Sequence, residues 1–355
     1  MRTDDFDYVL PPELIAQTPI EPRDASRLMV IDRKSGEIQH RRFRDLPEFL
    51  QPEDLLIYNE SRVIPARLFA RKSTGGRVEI LLLRPRDGTT WETLVRGKHV
   101  RTGLELELLQ GSAGPPTGAM ARVVGMGVRG ERLLAFDQPV LALADQIGAT
   151  PLPPYIHTPL ENGERYQTIY ARTSGSAAAP TAGLHFTPEL MHRLRAIGVH
   201  FGFVTLHVGL DTFRPVTEED VEEHHIHQEH CTLDPHVARM VNETRLAGRR
   251  VIAVGTTSVR VLETAALAAV GGDEQAPQCP FQTVAAMDGF TGLFIYPGFR
   301  SRAVDAMITN FHLPRSTLLM LVAAYTGKEL LDRAYAEAIE RRYRFYSFGD
   351  AMLIL

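Results

Sequence analysis

The sequence is poor in cysteine: Cys231 and Cys279 are the only two in 355 residues. Their separation is not that of a metal site, and two thiols make no disulfide framework. Both are read as reduced thiols of a cytoplasmic protein. Long hydrophobic runs are also missing. Nothing approaches the roughly 20 apolar residues of a membrane span, and the acidic opening MRTDDFDYVLPPEL lacks the apolar core of an export signal. Charge of one sign is scarce too. With 39 basic and 43 acidic side chains the formal net charge is −4, which argues against indiscriminate nucleic-acid binding. There is no Walker loop, no three-glycine dinucleotide fingerprint, no Gly-x-Ser-x-Gly elbow and no His-Glu-x-x-His pair. A covalent serine or cysteine mechanism is therefore poorly supported. No internal repeat is visible.

What is present is a globular composition, 44% hydrophobic and 23% charged, at a length that suits two domains. Between residues 66 and 150 the runs RVEILLLRP, TWETLVRG, LELELLQG, ARVVGMG and RLLAFD are short, rich in Val and Leu, and punctuated by glycine. They predict a small, mostly antiparallel sheet or barrel, with 111–120 as a hairpin tip. From residue 180 helix and strand signals alternate. Thr187 caps a helix with Pro188 in its first position, and VHFGFVTLHVG follows as a strand. A helix is expected from Asp234 to Ala247, then the buried strand RRVIAVG and the helix TTSVRVLETAALAAV. LFIYPG and DAMITNFHL read as strands, Ser316 as the cap of an apolar helix, KELLDRAYAEAIERRY as an amphipathic helix and AMLIL as a last strand. LMVIDR and DLLIYN, in the first 60 residues, look like strands of the same layer. The expectation is an α/β main domain, 1–65 plus 151–355, with an inserted β-barrel domain at 66–150.

Several residues can carry chemistry. Gly255-Thr256-Thr257-Ser258 lies between a strand and a helix, where open amides bind anions and hydroxyls reach ribose or carboxylate oxygens. Arg260, one turn later, is either a structural ion pair or a clamp for a carboxylate. The run HHIHQEH (224–230) offers His224, His227 and Glu229 as metal ligands, as polar catalytic groups or as surface decoration. His185, His207 and His312 each stand among apolar neighbours, a setting that usually means a core histidine. Three of them at strand or loop ends, with Thr309 and Asn310 beside the last, point to one cleft. Ten bases against three acids between Arg62 and Arg101 make a stretch able to touch phosphates.

Taken in order, the blocks FDYVLPPELIAQTPIEPRDASRLMV, NESRVIPARL, RYQTIYA, PTAGLHFT, LHVGLDTFRPV, VGTTSVRVLE, TNFHLPRSTLLMLVAAYTG and YRFYSFGDAMLIL resemble the S-adenosylmethionine:tRNA ribosyltransferase-isomerases, from Phe6 to Leu355. Departures are small: Asp211 where the family usually has glycine, Val261 for threonine, and His225 and His230 added around the family's His-x-x-His-x-Glu block. The resemblance implies transfer and isomerisation of the ribosyl group of S-adenosylmethionine onto 7-aminomethyl-7-deazaguanine at the tRNA wobble position. Epoxyqueuosine-tRNA, adenine and methionine are the products. It also implies an α/β domain with an inserted β-barrel, a monomer, no metal and no permanently bound cofactor. Since the nucleophile is the substrate's amine, the protein has only to remove a proton beside the sulfonium and protonate adenine. Both tasks suit imidazole. On this reading His185, His207, His312 and His227 are the catalytic candidates. Gly255, Thr256, Thr257, Ser258, Arg260, Glu229 and Asp305 hold S-adenosylmethionine, and Arg62, Arg67, Arg71 and Lys72 follow tRNA phosphates, joined by Arg341, Arg342 and Arg344. The alternatives are a metal-dependent hydrolase built on His224, His227 and Glu229, a non-catalytic RNA-binding protein, and a methyltransferase using the same cofactor.

Overall fold

The computed structural model describes all residues except 128–129, 210–215 and 274, so Asp211 lies outside the described residues. The chain divides into two compact units. One comprises 1–62, 153–173 and 179–355; the other comprises 63–152 with 174–178. The second unit begins a few residues before the run of glycine-punctuated strands and recruits a five-residue piece from beyond the prolines. Composition gave no sign of that piece.

In the smaller unit six strands close a barrel in the order Arg132–Phe136, Thr90–Arg96, Arg77–Pro85, Arg67–Lys72, Glu105–Leu109, Pro116–Met126. Every pairing is antiparallel. Period-two patterning sends Leu68, Ala70, Val78, Ile80, Leu82, Leu106, Leu108, Ala121, Val123 and Leu134 inward around Trp91. The proposed hairpin tip at 111–120 is shorter than expected, because its second half already belongs to the strand Pro116–Met126. A helix, Val140–Ile147, was hidden among the strand signals; it adds Val140, Leu143, Ala144 and Ile147 to the barrel core.

The larger unit is built on a nine-stranded mixed sheet. Its order is Met287–Thr291, Glu229–Leu233, His200–Leu206, Leu55–Asn59, Val251–Val254, Ala306–Asn310, Ala351–Ile354, Arg27–Ile31, Ile38–Arg42. The four central strands, from His200–Leu206 to Ala306–Asn310, are mutually parallel. Leu55–Asn59, Val251–Val254 and Ala306–Asn310 are buried along their whole length, as strands covered on both faces must be. One face packs Leu28, Val30, Leu56, Tyr58, Ile252, Val254, Ile308 and Leu353 against Phe43, Phe186, Leu190 and Leu194. LFIYPG forms no strand; the sheet is instead extended by Met287–Thr291, a polar edge strand whose glycine and aspartate concealed it. The expected helices at Pro188–Ala196, Pro235–Leu246, Thr256–Ala269, Thr317–Thr326 and Lys328–Glu340 are all present. Thr187 and Ser316 cap theirs through Leu190 N and Leu319 N, at 3.1 and 3.2 Å.

Candidate functional site

The parallel core fixes what shares an edge. Val254 pairs with Tyr58 and Ile308, Val204 with Asn59, Asn310 with Ala351, Ala351 with Leu28, and Arg27 with Arg42. At the other side Glu229 pairs with Thr291, and His207 N donates to His230 O at 3.1 Å. Thr291, Glu229, His207, Asn59, Gly255, Asn310, Asp350, Arg27 and Arg42 therefore mark one edge of the sheet, where the central strands end. Carboxyl-terminal edges of this kind are where open α/β sheets gather ligands.

At the middle of that edge the chain leaves Val254 through Gly255, whose φ of +88° strains any residue with a Cβ. Gly255 N bonds Ile308 O at 2.7 Å, and the helix Thr256–Ala269 begins with no side-chain cap. Its first amides point off the edge with the positive end of the helix dipole. Thr257 Oγ1 is buried there without a hydrogen-bond partner among the described residues, so it is available to a ligand. Ser258 is not: its hydroxyl returns to Val254 O at 2.9 Å. Arg260 and Glu229 form a buried ion pair, 6% and 9% exposed. Glu229 also accepts from Gly209 N at 2.8 Å, and Arg260 donates to Leu293 O at 3.2 Å. The pair thus ties three segments of the edge together, which is the structural option left open for Arg260.

The 3₁₀ turn Thr181–His185 packs beside Gly255, with Ala182 in the core beneath it. Gly183 is required by close approach: an added Cβ would lie 2.0 Å from the Tyr170 hydroxyl oxygen and 2.8 Å from Thr168. The turn drives His185 inward rather than upward. Its ring stacks on Phe43 at 4.9 Å, Nδ1 shares a hydrogen bond with Ser26 Oγ at 2.8 Å, and 4% of the residue is exposed. Burial lowers its pKa to about 4, against the opposing pull of Asp350 and Asn310. His312, 9% exposed, bonds Thr309 Oγ1 at 2.8 Å, and burial lowers its pKa to about 3. Both imidazoles are neutral at pH 7. His207 differs: it follows the strand end directly, is only half-buried, and stacks on His230 at 6.1 Å. Burial and then the neighbouring His230 lower its pKa, and its buried Nδ1 has no hydrogen-bond partner among the described residues. His230 Nε2 meets Asp288 Oδ1 at 2.8 Å.

Asp305 does not join this group. It precedes the strand Ala306–Asn310, at the opposite edge, where its carboxylate is held by Arg245 and by Val251 N. Residues 224–228 form neither helix nor strand, so the periodicities that would have aligned their histidines do not operate. His224 Nδ1 pairs with Glu218 at 2.9 Å, His227 is partly buried in the same segment, and Glu229 is committed to Arg260. Among the described residues no group of three His, Cys, Asp or Glu side chains is placed to hold a metal ion. The donor set of the hydrolase alternative is dispersed. Ser26, Asn59 and Asp350 are polar, buried and on the same edge, yet had not been singled out. Asn59 clamps Leu206 through both backbone groups, and Asp350 accepts from the backbone amides of Arg27 and Arg344, each at 2.8 Å. The only signal for them was a polar residue abutting an apolar strand. Of the basic candidates, Arg67 pairs with Glu79 at 3.3 Å and Arg71 with Glu107 at 2.8 Å. Arg62 pairs with Glu164, and Lys72 donates to Lys98 O.

The two buried histidines carry a pH consequence. Below pH 6.5 the unfolded chain takes up protons that folded His185 and His312 refuse, so stability is full above that value and declines as pH falls towards 4 and 3. Between pH 7 and pH 5 the loss is about 2 kcal/mol per histidine. Of the 13 histidines, at least two should show ring resonances that do not titrate between pH 8 and pH 5 by NMR. Titration of all of them near 6.5 would contradict the burial.

The chain matches the family model described as queuosine biosynthesis protein over residues 3–354. It is 55% identical to the S-adenosylmethionine:tRNA ribosyltransferase-isomerase of Symbiobacterium thermophilum and 51% identical to that of Moorella thermoacetica, with all of each chain covered. A crystal structure of S-adenosylmethionine tRNA ribosyltransferase from Thermotoga maritima matches with a TM-score of 0.55 at 44% identity, covering 99% of this chain and 100% of that one.

Proposed function

Because the chain belongs to the queuosine biosynthesis protein family, we propose that it is an S-adenosylmethionine:tRNA ribosyltransferase-isomerase. It moves the ribosyl group of S-adenosylmethionine onto 7-aminomethyl-7-deazaguanine at the tRNA wobble position and releases adenine and methionine. The observation that carries this reading is identity above 50% over the entire length of relatives bearing that name. The geometry is consistent with it. The sulfonium already acidifies the adjacent carbon, so a neutral imidazole suffices as base. His207 is the group we assign, since it is half-buried at the strand end and its proton affinity is lowered. His227 is the second candidate, while His185 and His312 act as neutral positioning residues through Ser26 and Thr309. The open amides of Thr256 and Thr257 and the Thr257 hydroxyl hold the methionine or ribose oxygens. Arg260 and Glu229 hold the edge in shape rather than the ligand. Arg62, Arg67, Arg71 and Lys72 remain candidates for phosphate contacts, tempered by the carboxylates beside three of them. We further propose a cytoplasmic location, in keeping with two free thiols, and a monomer, as the family resemblance implies.

The test mixes protein, S-adenosylmethionine and tRNA carrying the precursor base, then separates the small products by chromatography. Adenine and methionine in equal amounts are expected, unaffected by a chelator. Release of the homocysteine nucleoside would identify a methyltransferase, chelator-sensitive hydrolysis a metalloenzyme, and no turnover a binding protein.

A further inference from the structure

The same sheet edge carries a second feature, four strands away from Gly255. There the outermost strand, Ile38–Arg42, the start of Arg27–Ile31 and the chain after the helix Lys328–Glu340 surround a pocket of about 560 Å³. It is lined by Arg27, His40, Arg41, Arg42, Asp45, Arg341 and Tyr343. Four guanidinium groups face a single lining carboxylate, and Asp45 already receives Arg42 N at 2.9 Å. Arg27 is fixed by Asp350 at 3.2 Å and lies 4.0 Å over the Tyr343 ring; Arg341 pairs with Glu337 at 3.0 Å. Arg41 and Arg42 are different. They are exposed, their guanidinium groups donate only to neutral oxygens of His40, Gln39 and Ala25, and among the described residues neither guanidinium has a carboxylate partner.

Cations on an edge strand commonly serve only to keep sheets from pairing. That purpose needs charge pointing outward, and it is met by one strand alone. Here residues from three separate segments converge on a concavity, with His40 and Tyr343 oriented by their mutual hydrogen bond at 2.7 Å. Planar guanidinium groups with unspent donors match phosphate oxygens in geometry as well as charge. The pocket and the Gly255 turn share an edge, separated by four strand spacings, about 20 Å. A nucleic acid presenting one base at Gly255 would lay its neighbouring phosphates across the arginines. We propose that this pocket docks the sugar–phosphate backbone of the RNA substrate, a proposal that rests on the tRNA-directed reading above. It assigns to the α/β unit a phosphate contact that the charge-rich barrel stretch had overshadowed.

The test is Arg41→Ala combined with Arg42→Ala in the full chain, with binding of a fluorescent tRNA transcript followed by anisotropy across a salt series. Lys34→Ala with Arg239→Ala, two exposed cations elsewhere, is the control. The pocket variant should bind about tenfold more weakly at about 0.1 M salt, and its log–log salt slope should be shallower by about 2, one counterion per lost contact. The Michaelis constant for S-adenosylmethionine should stay put. Unchanged affinity and slope, or an equal loss in the control, would overturn the site. The wild-type chain, assayed for adenine in parallel, keeps the two readings apart. Adenine release with unaltered tRNA binding in the variant removes the pocket alone. Weakened binding without adenine release from wild type removes the reaction and leaves the pocket.

Discussion

His207→Ala should lower kcat for adenine release by about 10²–10⁴-fold, the usual contribution of a positioned acid–base group, with little change in affinity for tRNA. Three features single out this histidine. It follows directly on the strand His200–Leu206, at the edge where the central strands end. It is only half-buried, whereas His185 and His312 lie inside the unit. Its pKa is lowered first by burial and then by His230, so the ring is neutral at pH 7 and can accept a proton. The pH profile gives an independent reading. A general base with a lowered pKa keeps its activity below pH 6.5, and the acid limb of kcat should fall only under that value. Asp288→Asn should loosen the placement of His230, which meets Asp288 Oδ1 at 2.8 Å and stacks on His207, and shift that limb while leaving tRNA binding untouched. A His207→Ala enzyme with wild-type turnover would remove this residue from proton transfer and return attention to His227.

Arg260→Ala has the largest expected effect on stability. The substitution would leave the Glu229 carboxylate buried beside a cavity and without its guanidinium partner; such losses cost about 3–5 kcal/mol. It would also release Leu293 O and Thr291 O, the acceptors that Arg260 now holds at 3.2 and 3.5 Å. Urea unfolding followed by far-UV circular dichroism measures the change. Trp91, the only tryptophan, belongs to the barrel core and reports by fluorescence whether that unit is spared. Replacing the pair together, Arg260→Met with Glu229→Leu, should recover much of the stability because no lone charge remains. Its activity should stay modestly below wild type, since Gly209 N would lose the carboxylate that now fixes it at 2.8 Å. An Arg260→Ala chain as stable as wild type would mean that water or another group replaces the guanidinium.

The proposed catalytic edge and the stability of its buried pair are linked by one geometric fact. Glu229 begins a strand antiparallel to His200–Leu206, so its carboxylate arrives at the edge from which His207 departs. Loosening the Glu229–Arg260 contact should therefore reach His207 through His230, the residue next to Glu229. A modest activity defect in the stable double variant is the signature of that route.

Local signals in the sequence sufficed wherever one element decides its own state. Caps at Thr187 and Ser316, the apolar runs LLIYN, VIAV and AMLIL, and the period-two strands of the barrel are all readable, because capping, burial and alternation act within a few residues. The turn at Gly255 and the helix start Thr256–Ser258 that follows it were legible for the same reason. Ordered blocks along the whole chain carried the family, since eight spaced matches specify far more than any one. Tertiary structure alone decided the rest. Asp305 and Gly255 flank strands that look alike in sequence, yet parallel pairing puts them at opposite edges. His185 reads like His207, each a histidine after an apolar residue, and only the packing of Phe43 and Ser26 against the former separates a neutral core ring from one at the rim. The run 224–230 promised a ligand cluster, but neither helix nor strand forms at 224–228 to align it. Arg27 and Arg42 face each other across neighbouring strands, but Arg341 comes from the far end of the chain, and its arrival beside them is a long-range property that no local pattern encodes.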